Sequence, residues 1–222
     1  MSAPEEIVFL LDVDNTLLNN DAVVADLRAH LSEEFGNSSD RYWEIFETLR
    51  SELGYADYLG ALQRYRLERQ CDTRLMLMSS FLIDYPFPTR LYPNVLAALA
   101  RLRTLGPTVI LSDGDVVFQP RKIKQSGLWD AVEGRVLIYI HKEQMLDEVV
   151  QRYPARRYVM IDDKLRILAA MKQIWKERLI TVFPRQGHYA LDKANLVTYP
   201  AADVTIEHIG ELASMDLAVF SA

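Results

Sequence analysis

Residues Ile7 to Leu11 read IVFLL, a short unbroken apolar run that ends directly in Asp12-Val13-Asp14-Asn15-Thr16. A strand that is apolar at every position must be covered on both faces, which places it inside a parallel sheet flanked by helices. The acidic residues that terminate it then emerge at the carboxyl edge of the sheet, where open α/β sheets bind ligands. The pattern recurs in TVIL (Thr108 to Leu111), VLIYI (Val136 to Ile140), YVMI (Tyr158 to Ile161) and LITVF (Leu179 to Phe183), with ADVTI near the end as a sixth candidate. Helical segments alternate with these runs. NVLAALARLRTLG carries Val95, Leu99 and Leu102 on one stripe, follows Pro93 and stops at Gly106-Pro107; others span about Glu143 to Tyr153 and Lys164 to Lys176. Strand and helix in alternation predict a doubly wound α/β fold with a mostly parallel sheet and right-handed crossovers.

One region breaks the alternation. From about Asp21 to Asp84 the periodicity is helical throughout, in four segments for which Gly36 and Gly54 serve as stops and Asp40 and Asp72 as caps. Proline-rich YPFPTRLYP then returns the chain to the sheet. The expected organisation is therefore a core made of residues 1–18 and 88–222, with an all-helical insertion over residues 19–87. At 222 residues the chain is long enough for such a core and insertion.

Composition narrows the function classes. A formal net charge of −6 leaves no basic footprint for nucleic acid or an anionic membrane surface. Cys71 is the single cysteine, so an intrachain disulfide and a cysteine-histidine zinc site are both excluded, and a reducing cytoplasm fits best. The acidic start MSAPEE, ahead of only five apolar residues, is unlike a secretory signal.

The chemistry is concentrated at the strand ends: Asp12 and Asp14 after the first, Ser112 in LSDGD after the second, Lys142 after the third, Asp162 and Asp163 after the fourth. Converging carboxylates resist joint ionisation unless a cation neutralises them, and an oxygen-only donor set favours Mg²⁺. With Lys142 as a positive charge and Ser112 as a donor, such a site can hold a transferring phosphoryl group. Asp12 is then placed to attack phosphorus, and Asp14 to protonate the leaving oxygen and activate water. Asp113 and Asp115 flank Ser112; Asp113 is included among the phosphate-site candidates, with capping and supporting polarity as its main alternatives.

These residues, in this order, resemble the haloacid dehalogenase-like superfamily. Asp12-Val13-Asp14-Asn15-Thr16 matches its first motif, Ser112 the second, Lys142 the third and the Asp162-Asp163 pair the fourth. The resemblance implies a Rossmann-like core with a helical cap between the first two motifs. It implies Asp12 as nucleophile and Asp14 as acid/base that also lends the metal its backbone carbonyl. Asp12 and Asp162 would bind Mg²⁺ through their carboxylates, with the share of Asp163 open. Thr16 would order the turn beside the phosphate site, and Ser112 and Lys142 would grip the phosphoryl group.

The function expected is a Mg²⁺-dependent phosphatase acting on a small phosphate ester through an aspartyl-phosphate. A phosphoryl transferase of the same fold, or a binding protein that retains it, are the alternatives. A dehalogenase is disfavoured because displacing halide needs no proton for a leaving oxygen, which leaves Asp14 without a task. Among other candidates, Arg64, Arg66 and Arg69 around Tyr65 could grip an anionic substrate, although a solvated helix face is the simpler reading. Lys164 rivals Lys142, and Arg185 and His188 fall at the rim of the sheet.

Overall fold

A computed structural model describes residues 4–36 and 39–220. Residues 1–3 of the acidic start MSAPEE lie outside the described residues. Six strands form one all-parallel sheet: β1 (Glu5–Leu11), β2 (Thr108–Asp113), β3 (Val136–Tyr139), β4 (Ala155–Ile161), β5 (Leu179–Pro184) and β6 (Val204–Ile206). Their order is β3-β2-β1-β4-β5-β6, so the direction of winding reverses between β1 and β4.

The apolar runs divide by parity, as a strand covered on both faces requires. Phe9 and Leu11 of β1, Ile110 of β2 and Val159 and Ile161 of β4 face one core, while Val8, Leu10, Val109, Leu111, Tyr158 and Met160 face the other. The first core continues into the helical insertion, so the sheet and the four helices of the insertion share one apolar interior.

Those four helices are α1 (Asn20–Phe35), α2 (Ser39–Leu53), α3 (Tyr58–Leu67) and α4 (Leu75–Ile83). Asn19 caps α1 by accepting from the Ala22 N–H, and Asp57 caps α3 by accepting from Gly60. The stops at Gly36 and Gly54 both have positive φ, 57° and 81°. The two aspartates expected as caps are displaced from that role. Asp40 lies inside the first turn of α2, and Asp72 precedes α4 by three positions, held by Arg74 and Arg69. Two arginines on one carboxylate outcompete a helix N-terminus for it.

After the insertion come α5 (Val95–Leu102), α6 (Phe118–Gln125), α7 (Leu128–Ala131), α8 (Leu146–Arg152), α9 (Leu165–Trp175), α10 (Gly187–Leu191) and α11 (Lys193–Thr198). Sequence periodicity does not reveal α6 and α7, because FQPRKIKQ holds a proline and five long polar side chains. The segment expected as one helix from Glu143 divides into a 3₁₀ turn, Lys142–Gln144, and α8. No helix among the described residues is long and apolar enough to cross a membrane.

The turn from α5 into β2 passes so close to β1 that a Cβ on Gly106 would lie 2.2 Å from the Ile7 carbonyl oxygen. Backbone cannot yield as a side-chain tip can. Gly106→Ala is therefore expected to lower stability by about 2 kcal/mol, read as a reduced denaturation midpoint with unchanged denaturant slope.

Candidate active site

The pairing of β1 with β4 determines the centre of the site. Leu11 is in register with Ile161, so the residues that follow, Asp12 and Asp162, leave adjacent strands side by side. Asp12 stays tied to β4 through its N–H, which donates to the Ile161 carbonyl at 3.0 Å. Beyond it the chain coils around the Val13 carbonyl, which accepts from Leu17 and Leu18 at 2.9 Å, and passes through Asn15 at φ 61°. This turn is pinned to β4 by Thr16, whose Oγ1 accepts from the Asp163 N–H at 3.0 Å. Thr16 thus holds the acidic pair in place through its backbone, and its hydroxyl faces Asp163.

Asp12, Asp162 and Asp163 bring carboxylate oxygens within 4.8 Å of one another, and all three residues are buried. Lys142 neutralises part of this charge. Its Nζ lies 2.5 Å from Asp12 Oδ1 and 2.6 Å from Asp162 Oδ2, and it also donates to the Leu111 carbonyl at 3.3 Å. The lysine's position is set from the neighbouring strand end, because Asp113 Oδ1 accepts from the Lys142 N–H at 2.8 Å. Asp113 therefore contacts the backbone of Lys142. Ser112, buried near the end of β2, has its Oγ accepting from Gln119 Nε2 at 3.0 Å.

The electrostatics record the crowding. Burial pushes the Lys142 ammonium down, but Asp12, Asp162 and Asp113 outweigh burial and hold it above its ordinary value. Burial raises Asp162 to about 6 despite Lys142, and burial with the Asp162 charge drives Asp163 well above the carboxylate range. Both Asp163 oxygens and Asp12 Oδ2 are buried with no hydrogen-bond partner. Orphaned carboxylate oxygens converging on one point, with no histidine or thiolate among them, fit a hard divalent cation.

A cavity of about 1020 Å³ lies above this cluster, between the strand ends and the insertion. Asp12, Ser112, Asp162 and Asp163, at most 4% exposed, form the layer beneath its floor. Asp14, Asp113 and Lys164 are the expected residues that line the cavity itself. Lys142 is enclosed among the acids, whereas Lys164 faces the cavity with its Nζ over the Tyr189 ring at 4.9 Å. His188 also lines the cavity, with Nδ1 2.6 Å from Asp21 of α1.

Two residues absent from the sequence reading complete the site. Lys122, 1% exposed, places Nζ 2.7 Å from Asp14 Oδ1 and 3.1 Å from Asn20 Oδ1 of the insertion, while Gln119 reaches Asp14 Oδ2 at 3.3 Å. Both come from α6. There Gln119 and Lys122 stand three apart, on one helix face. The expected cap arginines are elsewhere. Arg64 pairs with Glu52 and Arg69 with Asp72, and neither they nor Arg66 line the cavity; Arg28 and Arg50 do.

The raised carboxyl of Asp162 has a measurable consequence in metal-free protein. It binds a proton more tightly folded than unfolded, so its contribution to stability falls as pH rises from 3.8 to about 6. Asp162→Asn removes that slope. In chelator, the melting temperature of the variant should gain on wild type between pH 4 and 6; a constant difference would show that Asp162 titrates normally.

With this geometry established, comparison gives the chain's relatives. Residues 8–174 match the family model described as haloacid dehalogenase-like hydrolase. A haloacid dehalogenase-like hydrolase from Burkholderia xenovorans LB400 is 72% identical, with TM-score 0.91, over 96% of this chain and 100% of that one. A magnesium-bound hydrolase of the same type from Bacillus subtilis is 16% identical (TM-score 0.58; 94% and 97% covered). An L-2-haloacid dehalogenase from Xanthobacter autotrophicus is also 16% identical (TM-score 0.58; 93% and 96% covered). At such identity the last two show the fold alone. No curated protein matches the sequence.

Proposed function

The chain belongs to the haloacid dehalogenase-like hydrolases, and from that premise we propose that it is a Mg²⁺-dependent phosphatase of a small phosphate ester. The observation that carries this reading is Asp14: a second carboxylate two residues beyond Asp12, facing the cavity and held at both oxygens by Lys122 and Gln119. A leaving alkoxide needs a proton, and a halide does not. The precise support given to Asp14 therefore favours an oxygen leaving group over the carbon-halogen chemistry named for some of its structural neighbours.

Asp12, Asp162 and Asp163 would hold the cation through carboxylate oxygens, with Asp14 adding its backbone carbonyl. Bound Mg²⁺ supplies the positive charge that lets these acids and a phosphoryl group share one small volume. In the reaction, an oxygen of Asp12 bonds to phosphorus as the ester P–O bond breaks, and Asp14 gives the leaving oxygen its proton. Water then attacks the aspartyl-phosphate, Asp14 takes the water's proton, and inorganic phosphate leaves with Asp12 restored. Lys142 orients Asp12, Ser112 lies beside it, and Lys164 offers a cation on the substrate side. Volume agrees with a small molecule, since about 1020 Å³ is at the upper end for such sites.

The test is release of inorganic phosphate from para-nitrophenyl phosphate with and without Mg²⁺, beside halide release from chloropropionate. Metal-dependent phosphate release is expected, without halide. Asp12→Asn should reduce turnover by at least about 10³-fold at an unchanged melting temperature. Wild-type turnover in Asp12→Asn would sink the covalent route, halide release would favour the dehalogenase, and phosphate passed to an added alcohol in place of water would identify a transferase.

A further inference from the structure

Three arginines and two lysines line the cavity, and most are engaged. Lys122 pairs with Asp14, Arg166 Nη1 lies 2.7 Å from Glu143 Oε1, and Arg50 contacts Glu47 and the Tyr189 hydroxyl. Two cations have no acidic side chain in ion-pair contact among the described residues. One, Lys164, stands over the carboxylates, where the phosphoryl group would lie. The other, Arg28, is on the insertion, far from any acid of the reaction centre.

Arg28 is also held in a particular way. Its guanidinium carbon sits 3.9 Å above the Trp43 ring, and Trp43 is itself buried in the interior of the insertion. Stacking on an indole fixes the guanidinium plane and leaves its in-plane N–H groups free, the arrangement suited to an oxyanion. The helix supplies the distance. Asn20, Asp21, Val24, Ala25 and Arg28 form the cavity-facing stripe of α1, and Asn20 is hydrogen-bonded to the lysine that holds Asp14. At about 1.5 Å per residue, Arg28 stands about 12 Å along the axis from Asn20.

We propose that Arg28, stacked on Trp43, binds a second anionic group of the substrate, so that the natural substrate is a phosphate monoester carrying a carboxylate or further phosphate at its far end. This rests on the phosphatase reading for the first anion and adds the chemistry of the leaving group. The long side chain of Arg28 takes up part of the axial distance, leaving a gap that a chain of several carbon atoms bridges. A monoanionic leaving group would leave this guanidinium without its partner, which costs affinity rather than chemistry.

Titration calorimetry in Mg²⁺ tests the inference without requiring turnover. The probes are pentylphosphonate, its analogue with a terminal carboxylate and its analogue with a second terminal phosphonate. Wild type should bind at least one of the doubly anionic probes about tenfold or more tightly than pentylphosphonate, and the better of the two identifies the terminal group. Arg28→Met keeps the stem on Trp43 and removes the charge; there the ratio of affinities should fall to about one, with Arg28→Lys recovering part of it. A ratio near one in wild type, or a preference that survives Arg28→Met, overturns the inference while leaving the phosphatase reading intact. Absence of binding by all three probes overturns both.

Discussion

The buried ammonium of Lys142 is the contact on which the site depends. Register between β1 and β4 forces Asp12 and Asp162 together, and Asp163 follows immediately, so strand pairing alone builds a cluster of like charge in a place closed to water. Such a cluster would oppose the pairing that creates it. Lys142 reaches this point from the end of β3, on the far side of β2, and its backbone is fixed by Asp113 at the end of β2. Four strands are thereby committed to one charge balance. The balance remains incomplete, as the orphaned oxygens of Asp163 and the raised Asp162 both show, and this deficit is what a bound cation would fill.

A second lysine gives the other half of the design. Asp14 is too exposed to need neutralising for the sake of folding, yet it receives a fully buried cation, Lys122, together with the Gln119 amide. Lys122 also binds Asn20, the first residue of α1. The same ammonium thus sets the direction of the Asp14 carboxylate and fastens the base of the insertion over it. Placement of the insertion and placement of Asp14 are consequently coupled through one side chain.

How much of this was legible follows from the kind of signal each part leaves. The strands announce themselves because burial on both faces demands consecutive apolar residues, and the chemistry gathers where those runs end. Hence Asp12, Asp14, Ser112, Lys142 and the Asp162-Asp163 pair could be selected from the sequence, and the fold brings them together. Lys122 and Gln119 left no such mark. They sit in FQPRKIKQ, where a buried lysine is indistinguishable from its solvated neighbours until α6 is packed against Asp14. The arginines of the insertion fail for a related reason: Arg64 and Arg69 look available in sequence, but Glu52 and Asp72 become their partners only on folding. Arg28 is the reverse case, an ordinary surface residue by sequence that Trp43 and the cavity single out.

The insertion's two connections explain why a helical unit placed after β1 can act with precision on Asp12 and Asp14. The outgoing chain leaves at Asn19, whose N–H donates to the Arg90 carbonyl at 2.8 Å, and the returning chain is bound at Tyr92, whose N–H donates to the Leu17 carbonyl at 3.0 Å. Leu18 and Leu91 form an antiparallel bridge between them. Leu17 and Leu18 are also the residues whose N–H groups close the turn around Val13, between the two aspartates. The entry, the exit and the turn between Asp12 and Asp14 therefore share a single stretch of backbone hydrogen bonds. Any tilt of the insertion must pivot within a few residues of Asp14, so a shift of the helices would be felt at that carboxylate first.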